Sequence, residues 1–341
     1  MRILVTGGCG FVGSWVCEYY AQRGREVISY DNMTKYELMR TGYNLDETRN
    51  YNWEYLKKLG VKLVKADVRN REELFEYAKD CNFIVHTAAQ PAMTVSIEDP
   101  QLDFSTNVLG TVNVLEAARR FNIPVVSCAT IHIYGNEINR GLKEGKKKYI
   151  RKPTSINEKY PTLNGIITPL HASKASADIY VRTYIDTYKV KAASFRLTGL
   201  YGERQFGGED HGWVANFSIR AITDLPVTIY GSGKQVRDIL YAGDVVSAFD
   251  SFYQRPKPGI YNIGGGRKNI ISLLESIELI SEILHKKIQV RFTPERMGDL
   301  RYFVCDIKKA RKDLGWSPKI KPREGIGKLI KWIEENKKLF R

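Results

Sequence analysis

Apolar residues fall in short runs through the first two-thirds of the chain, and stretches of helical spacing lie between them. Ile3 to Val5, Val27 to Tyr30, Lys62 to Lys65, Phe83 to His86 and Val125 to Cys128 read as buried strands. Phe11 to Arg23, Arg71 to Lys79 and Val108 to Arg120 read as helices; in the first, Val12, Trp15, Val16 and Tyr19 share one side. Brief, almost wholly apolar strands alternating with helices predict a parallel sheet covered on both faces, a doubly wound α/β fold of Rossmann type. Residues 35 to 60 form a longer insert with a helix expected at Asn50 to Leu59. After Arg196 the pattern loosens: strands are expected at Val227 to Tyr230, Ile239 to Tyr241 and Ile260 to Ile263, helices at Leu273 to Leu284 and Arg323 to Asn336. We therefore expect a dinucleotide-binding part over 1–198 with a returning segment near 236–263, and a smaller C-terminal substrate-binding α/β region over 199–341.

Composition narrows the picture. The chain has 341 residues, 27% charged and 43% hydrophobic, which suits one large core or two parts sharing a cleft. No apolar run is long enough to cross a bilayer, and the first strand starts at once, so a cytoplasmic protein without a membrane partner is expected. The five cysteines, Cys9, Cys17, Cys81, Cys128 and Cys305, include no CxxC pair, so neither a disulfide framework nor a metal site is expected. Net charge is +15, and the densest basic run, Lys143 to Lys152, contains Gly145 and little aromatic interleaving. A solvated lysine loop explains it better than a nucleic-acid platform, and the scattered excess suits small polyanionic ligands.

The first chemistry-bearing motif is Gly7-Gly8-Cys9-Gly10-Phe11-Val12-Gly13, between the first strand and the first helix. Glycines at GxxGxxG spacing allow a tight turn and close approach to a pyrophosphate, which the helix N-terminus favours. Asp31 ends the second strand, where an acid accepts from ribose hydroxyls and repels a 2′-phosphate; NAD is expected rather than NADP. Asn32 is placed to help at the ribose, and Asp67 at the adenine amino group.

Further motifs resemble the extended short-chain dehydrogenase/reductase family over nearly the whole chain. They are Asp67-Val68, His86-Thr87-Ala88-Ala89-Gln90, Thr106-Asn107-Val108-Leu109-Gly110-Thr111, Tyr134-Gly135, Ala172-Ser173-Lys174, Phe195-Arg196, Tyr201-Gly202, Gln235-Val236-Arg237-Asp238 and Tyr261-Asn262-Ile263-Gly264. Within that family the run Arg204 to Ala215 is most similar to the CDP-paratose (CDP-tyvelose) 2-epimerases, with His211 where they usually carry Gln. The resemblance implies transient oxidation of a nucleotide-activated sugar, a CDP-sugar favoured, at one ring carbon. It implies cofactor contacts from Gly7, Gly10, Phe11, Val12, Gly13, Asp31, Asn32, Asp67, Val68, Ala88, Ala89, Gln90, Asn107 and Lys174. It assigns the substrate side to Thr130, Arg204, Gln205, Arg237 and Arg296, and implies a homodimer formed through the helices near Val108 to Arg120 and Ser173 to Tyr188.

One position departs from the family. Its catalytic Tyr stands four residues before the Lys, one helical turn away. Here Lys174 is present and Leu170 occupies the Tyr position, with no proton to exchange. Three readings follow. His171, three residues before Lys174, supplies the base alongside Thr130 and Lys174, its ordinary pKa of roughly 6.5 suiting that work. Another cleft group, such as Tyr134, His132 or a water, takes over. Or the chain binds NAD and a nucleotide sugar with reduced or no turnover. A dehydratase is disfavoured, because Ile131-His132 follows Thr130 where the family's dehydratases carry Asp-Glu.

Overall fold

The computed structural model describes residues 1–340. Seven parallel strands form the central sheet: β1 (Arg2–Thr6), β2 (Glu26–Asp31), β3 (Lys62–Lys65), β4 (Phe83–His86), β5 (Val125–Thr130), β6 (Ala192–Leu197) and β7 (Gly259–Ile263). They lie in the order β7-β6-β5-β4-β1-β2-β3, so the winding reverses between β1 and β4. That reversal opens a crevice beyond the carboxyl ends of the strands, the usual ligand position of such sheets.

Helices cover both faces. Among them are α1 (Phe11–Ala21), α2 (Leu45–Lys58), α3 (Arg71–Ala78), α4 (Gly110–Phe121) and α5 (Pro169–Tyr188). One apolar layer joins Ile3, Val5, Val16, Phe83 and Phe195 to Phe249 and Phe252. The other joins Leu4, Ile28, Val64, Ile84 and Val125 to Val114, Leu115 and Val181. Successive side chains of each strand feed opposite layers, which is why the strands are apolar throughout instead of alternating.

The expected Rossmann-type sheet is present, and three local readings needed correction. Helix α2 starts at Leu45, not Asn50, because Asn44 caps it by accepting from the Glu47 N–H. Residues 192–197 form the central strand β6, paired with β5 from Val125↔Ala192 to Thr130↔Leu197. The helix expected from Val108 begins instead with a wide turn at Ser105–Leu109 that continues Pro100–Phe104.

The C-terminal part sends β7 back into the main sheet and otherwise forms small sheets, among them Val227–Tyr230 beside Val290–Thr293. The strand Val236–Asp238 lies between Ile270–Ser272 and Tyr302–Phe303. A second apolar cluster, with Val214, Phe217, Ile277, Ile326 and Leu329, holds this region together. No helix among the described residues is long and apolar enough to cross a membrane. All five cysteines are free thiols.

His86 stands at the end of β4, fully enclosed, its Nδ1 2.7 Å from Thr6 Oγ1 and its Nε2 3.0 Å from Thr111 Oγ1. Burial, with Lys174 nearby, pushes its pKa down to about 3. Below the ordinary value of 6.5 the unfolded chain binds a proton that the folded chain refuses until about 3, so stability falls as pH falls through that window. The slope from this one group is ~1.4 kcal/mol per pH unit. We expect His86→Gln to lower the melting temperature at neutral pH but to flatten its acid dependence, measured by thermal melts in a pH series. An unchanged slope would contradict a neutral His86.

Candidate active site

The crevice is a cleft of about 760 Å³ bounded by the ends of the central strands and by the C-terminal small sheets. Its floor is the loop from β1 to α1. Gly7 takes φ +70°, and its N–H donates to the Tyr30 carbonyl at 2.8 Å. A Cβ on Gly13 would sit 2.1 Å from the Gly7 oxygen, so α1 packs on the loop only because position 13 has no side chain. Asp31 pins the same loop: its Oδ2 accepts from the Cys9 N–H at 2.9 Å and its Oδ1 from the Met33 N–H at 2.7 Å. Burial raises its pKa, against the pull of those N–H groups and of Lys35. Asn52 on α2 donates to the Cys9 carbonyl at 2.9 Å, which explains why the insert folds down here.

Gly7, Gly10, Phe11, Val12, Gly13, Asp31, Asn32, Val68, Ala88, Ala89, Gln90 and Lys174 all line the cleft. The glycine cradle, the α1 N-terminus and the acid on β2 fit a dinucleotide: room for a diphosphate and an acceptor for ribose hydroxyls. Asp67 and Asn107 are not brought to the wall. Asp67 is held by Arg69 at 2.7 Å and by the Asn32 amide at 2.9 Å. Burial pushes its carboxyl up, but the bonds from Arg69 and Asn32 outweigh that and keep it at about 2. Asn107 acts from behind: its Oδ1 accepts from the Gln90 N–H at 3.0 Å, and its Nδ2 reaches Asp103 at 2.9 Å and Ser173 at 3.1 Å. It thereby fixes the loop after β4 against the helix that carries Lys174.

At the centre stand Cys128 and Thr130 from β5, His132 from the turn after it, and Leu170 and Lys174 from α5. Leu170 confirms in space what its position suggests: a hydrocarbon side chain forms the wall beside Lys174. Burial pushes the Lys174 pKa down, while Cys128 and Asp103 draw it back up. His171 does not line the cleft; its ring lies behind that of His132, with centroids 5.7 Å apart. Its Nδ1 accepts from the Thr168 N–H at 3.1 Å and lies 2.7 Å from Thr168 Oγ1, closing the first turn of α5. The reason is geometric: one residue further along a helix turns the side chain by about 100° from the Leu170 direction. Tyr134 is also withdrawn, fully buried between Asn262 and Arg196. His132, one of the alternatives to His171, does line the cleft; His211 lines it too, with its Nε2 3.1 Å from the Phe206 carbonyl oxygen.

At the far end, Arg237 is almost fully buried and lines the cleft; among the described residues its only acid partner is Asp299, at 3.5 Å. Burial pushes its pKa down, with Asp299 and Asp238 opposing. Arg296 lies 3.7 Å over the Tyr230 ring, 2.8 Å from the Glu209 carbonyl and 3.3 Å from Asp210. Gln205 lines the cleft with its Oε1 buried and unpartnered. Arg204 touches the wall, but its guanidinium is committed to Glu18 at 2.6 Å, between the rings of Trp15 and Tyr55 at 4.6 Å each. It ties α1 to the C-terminal region and has no free charge for a phosphate.

Residues 3–264 match the model of the NAD dependent epimerase/dehydratase family. The chain belongs to that family. It is 36% identical to a CDP-paratose 2-epimerase of Salmonella typhi over 97% of this chain and 99% of that protein. It is 30% identical to a putative UDP-glucose 4-epimerase of Methanocaldococcus jannaschii over 98% of this chain and 99% of that one. Among solved structures, a UDP-glucose 4-epimerase of Thermus thermophilus in complex with NAD superposes with a TM-score of 0.79 at 32% identity, covering 98% and 99% of the two chains. As in the rest of this family the cofactor is NAD, and bound in this cleft it supplies an acceptor and donor of hydride. The residues that would hold it are the glycine loop for the diphosphate, Asp31 for the adenosine ribose hydroxyls and Lys174 further along the same cleft.

Gly13→Ala places a methyl group on the Gly7 carbonyl, and overpacking of this kind costs about 1–3 kcal/mol. We expect NAD affinity, read by calorimetric titration, to fall by about tenfold or more. Wild-type affinity in that variant would show that the cradle tolerates a side chain.

Proposed function

We propose that this protein is an epimerase of nucleotide-activated sugars, with a CDP-sugar as substrate and C2 as the reacting carbon. The single observation that carries the nucleotide-sugar reading is the buried Arg237 on the cleft wall, held by Asp299 at a long 3.5 Å. A guanidinium that is desolvated and incompletely paired favours an anionic ligand with oxygens for its fork, and a diphosphate has that form. The CDP-sugar preference rests on the run Arg204 to Ala215 and on the likeness to the CDP-paratose 2-epimerase. In this reading residues 1–198 with 236–263 hold NAD, and 199–341 supply most of the sugar-nucleotide contacts. Thr130 supports the reacting oxygen, and Arg237 and Arg296 take the phosphates. The free thiols fit a reducing cytoplasm.

A second reading has an observation of its own. Leu170 gives the cleft a hydrocarbon wall where the family has its phenol, and this favours a protein that binds NAD and nucleotide sugar with slow or no turnover. One experiment separates the two. The purified protein is incubated with CDP-, UDP-, GDP- and dTDP-hexoses and the products are resolved by stereochemistry. A new epimer from a CDP-hexose is the expected outcome. Binding of CDP without conversion of any sugar in the panel would leave the second reading standing.

We also propose a homodimer through α4 and α5. Phe104 and Leu109 before α4, and Ile179, Tyr180 and Tyr188 on α5, are exposed, with Ile179 55% accessible. Apolar side chains clustered on one face are characteristic of an interaction surface. Ile179→Asp with Tyr180→Glu is expected to halve the solution mass measured by light scattering. A wild-type monomer would remove the proposal.

A further inference from the structure

Leu170 leaves open which group exchanges the hydroxyl proton in this cleft. The side chains around the centre of the cleft narrow the choice. Burial holds the Cys128 thiol at about 12, so it keeps its proton at neutral pH. Burial pushes the Lys174 pKa down, and Asp103, bonded with Asn107 behind the loop that follows β4, is the acid that opposes it. His132 has Arg237 from the Val236–Asp238 strand and His171 from α5 as its charged or titratable neighbours, the two imidazole centroids 5.7 Å apart. Its backbone N–H donates to Thr130 Oγ1 at 3.3 Å, which holds the turn that carries His132 next to the residue proposed to support the reacting oxygen.

The ring has an unusual hydrogen-bond state. Among the described residues neither of its nitrogens has a partner: Nδ1 is enclosed, as is the unpartnered Nε2 of the neighbouring His171, and Nε2 is the nitrogen of His132 that is not enclosed. An enclosed polar atom without a partner is costly and calls for a functional or ligand-linked account. The geometry points to His132 as the residue that takes over from the absent phenol, its Nε2 receiving the proton of the substrate hydroxyl and returning it. This rests on the reading of the cleft as a nucleotide-sugar oxidation site. In the step, the O–H bond breaks with its proton passing to Nε2, and the imidazole becomes imidazolium. As the C–H bond breaks the carbon gains a C=O bond, and NAD held in the cleft would supply the acceptor for the hydride that leaves. Return of hydride and proton restores the alcohol and the neutral imidazole. The nitrogen that carries the proton at rest is then Nδ1.

Without ligand the imidazole is a poor base. Burial, Arg237 and His171 together push its pKa down to about 3. A diphosphate lying on Arg237 compensates one of those causes, because an opposite charge nearby favours the charged form of a base. Substrate binding therefore raises the basicity of the group that acts on it, which keeps the base idle in an empty cleft.

The test uses ¹⁵N-histidine-labelled, NAD-loaded protein, with CDP as the diphosphate probe and His132→Gln to assign the resonance. We expect His132 in the Nδ1–H tautomer, titrating well below ordinary histidine, and moving upward by about one pH unit or more when CDP saturates. A ring locked as Nε2–H, or a titration that CDP does not move, overturns the proposal whether or not any sugar is converted. On a sugar that the wild type converts, His132→Gln is expected to slow turnover by about 100-fold or more, with CDP affinity within about threefold. Retention of the rate within about threefold overturns it equally. Failure of the wild type on the whole sugar panel, with the CDP-linked shift present, sinks the epimerase reading and leaves the coupling between Arg237 and His132 intact.

Discussion

Lys174 carries an amine into the interior of the cleft where, among the described residues, no hydrogen bond or ion pair receives it. Burying a cation without a partner is costly, and proteins lower that cost by pairing it or by shifting its pKa. Here the shift is downward, opposed by Asp103 and Cys128 at a distance. Arg237 repeats the arrangement at the other end of the same cleft, its acid partner stretched to 3.5 Å. Two under-compensated cations facing one cavity amount to half of a charge arrangement. The other half fits ligands rich in phosphate and hydroxyl oxygens, and the rest of the structure holds the two cations on the wall of one cleft.

That holding is done by rigid elements. Lys174 sits one turn into α5, whose start is closed by Thr168 and His171 and whose Ser173 is bonded to Asn107. Asn107 reaches the Gln90 backbone in turn, so the loop after β4 and the helix move as one body. Arg237 stands on a strand paired on both sides. Asp31 and Asn52 play the equivalent part beneath the glycine loop, binding Cys9 from two directions. Residues that look like ligand contacts in one dimension thus divide into those that touch the cleft and those that hold the touching residues still. Arg204 belongs to the second kind, since its charge is spent on Glu18.

This division marks the limit of what the chain discloses in one dimension. Periodicity and glycine spacing reveal the sheet, the dinucleotide loop and Asp31, because those depend on local geometry: apolar runs, positive φ, and an acid at a strand end. The start of α2 was missed because Asn44 caps it ahead of the apolar spacing, although the Asn44-x-x-Glu47 pair was a readable signal. Strand β6 was legible only as the Phe195-Arg196 motif, its run being broken by Ser194 and by Arg196, which is buried in a pair with Asp178 at 2.7 Å. The commitments of Arg204, Asp67 and Asn107 were not legible, since each depends on a partner brought near by the fold. His171 illustrates the same limit by direction: adjacency to Leu170 in sequence says nothing about which way a helix turns it.

The loss of the phenol at position 170 has a consequence for charge as well as for proton transfer. A phenolate beside Lys174 would add a negative charge to the cleft during turnover, and the ammonium would offset it. With Leu170 in that place, no anion forms beside Lys174 during turnover, and Asp103 is the acid left to oppose the burial of its charge. An imidazole adds to the imbalance, because it becomes cationic when it takes a proton, whereas a phenol becomes anionic when it loses one. Such a centre can change its protonation state only with an anion close by, and the only anions that come and go are the ligands themselves. Chemistry in this cleft is therefore tied to occupancy more tightly than in a cleft that carries its own phenolate, and Arg237 is the point at which occupancy is felt.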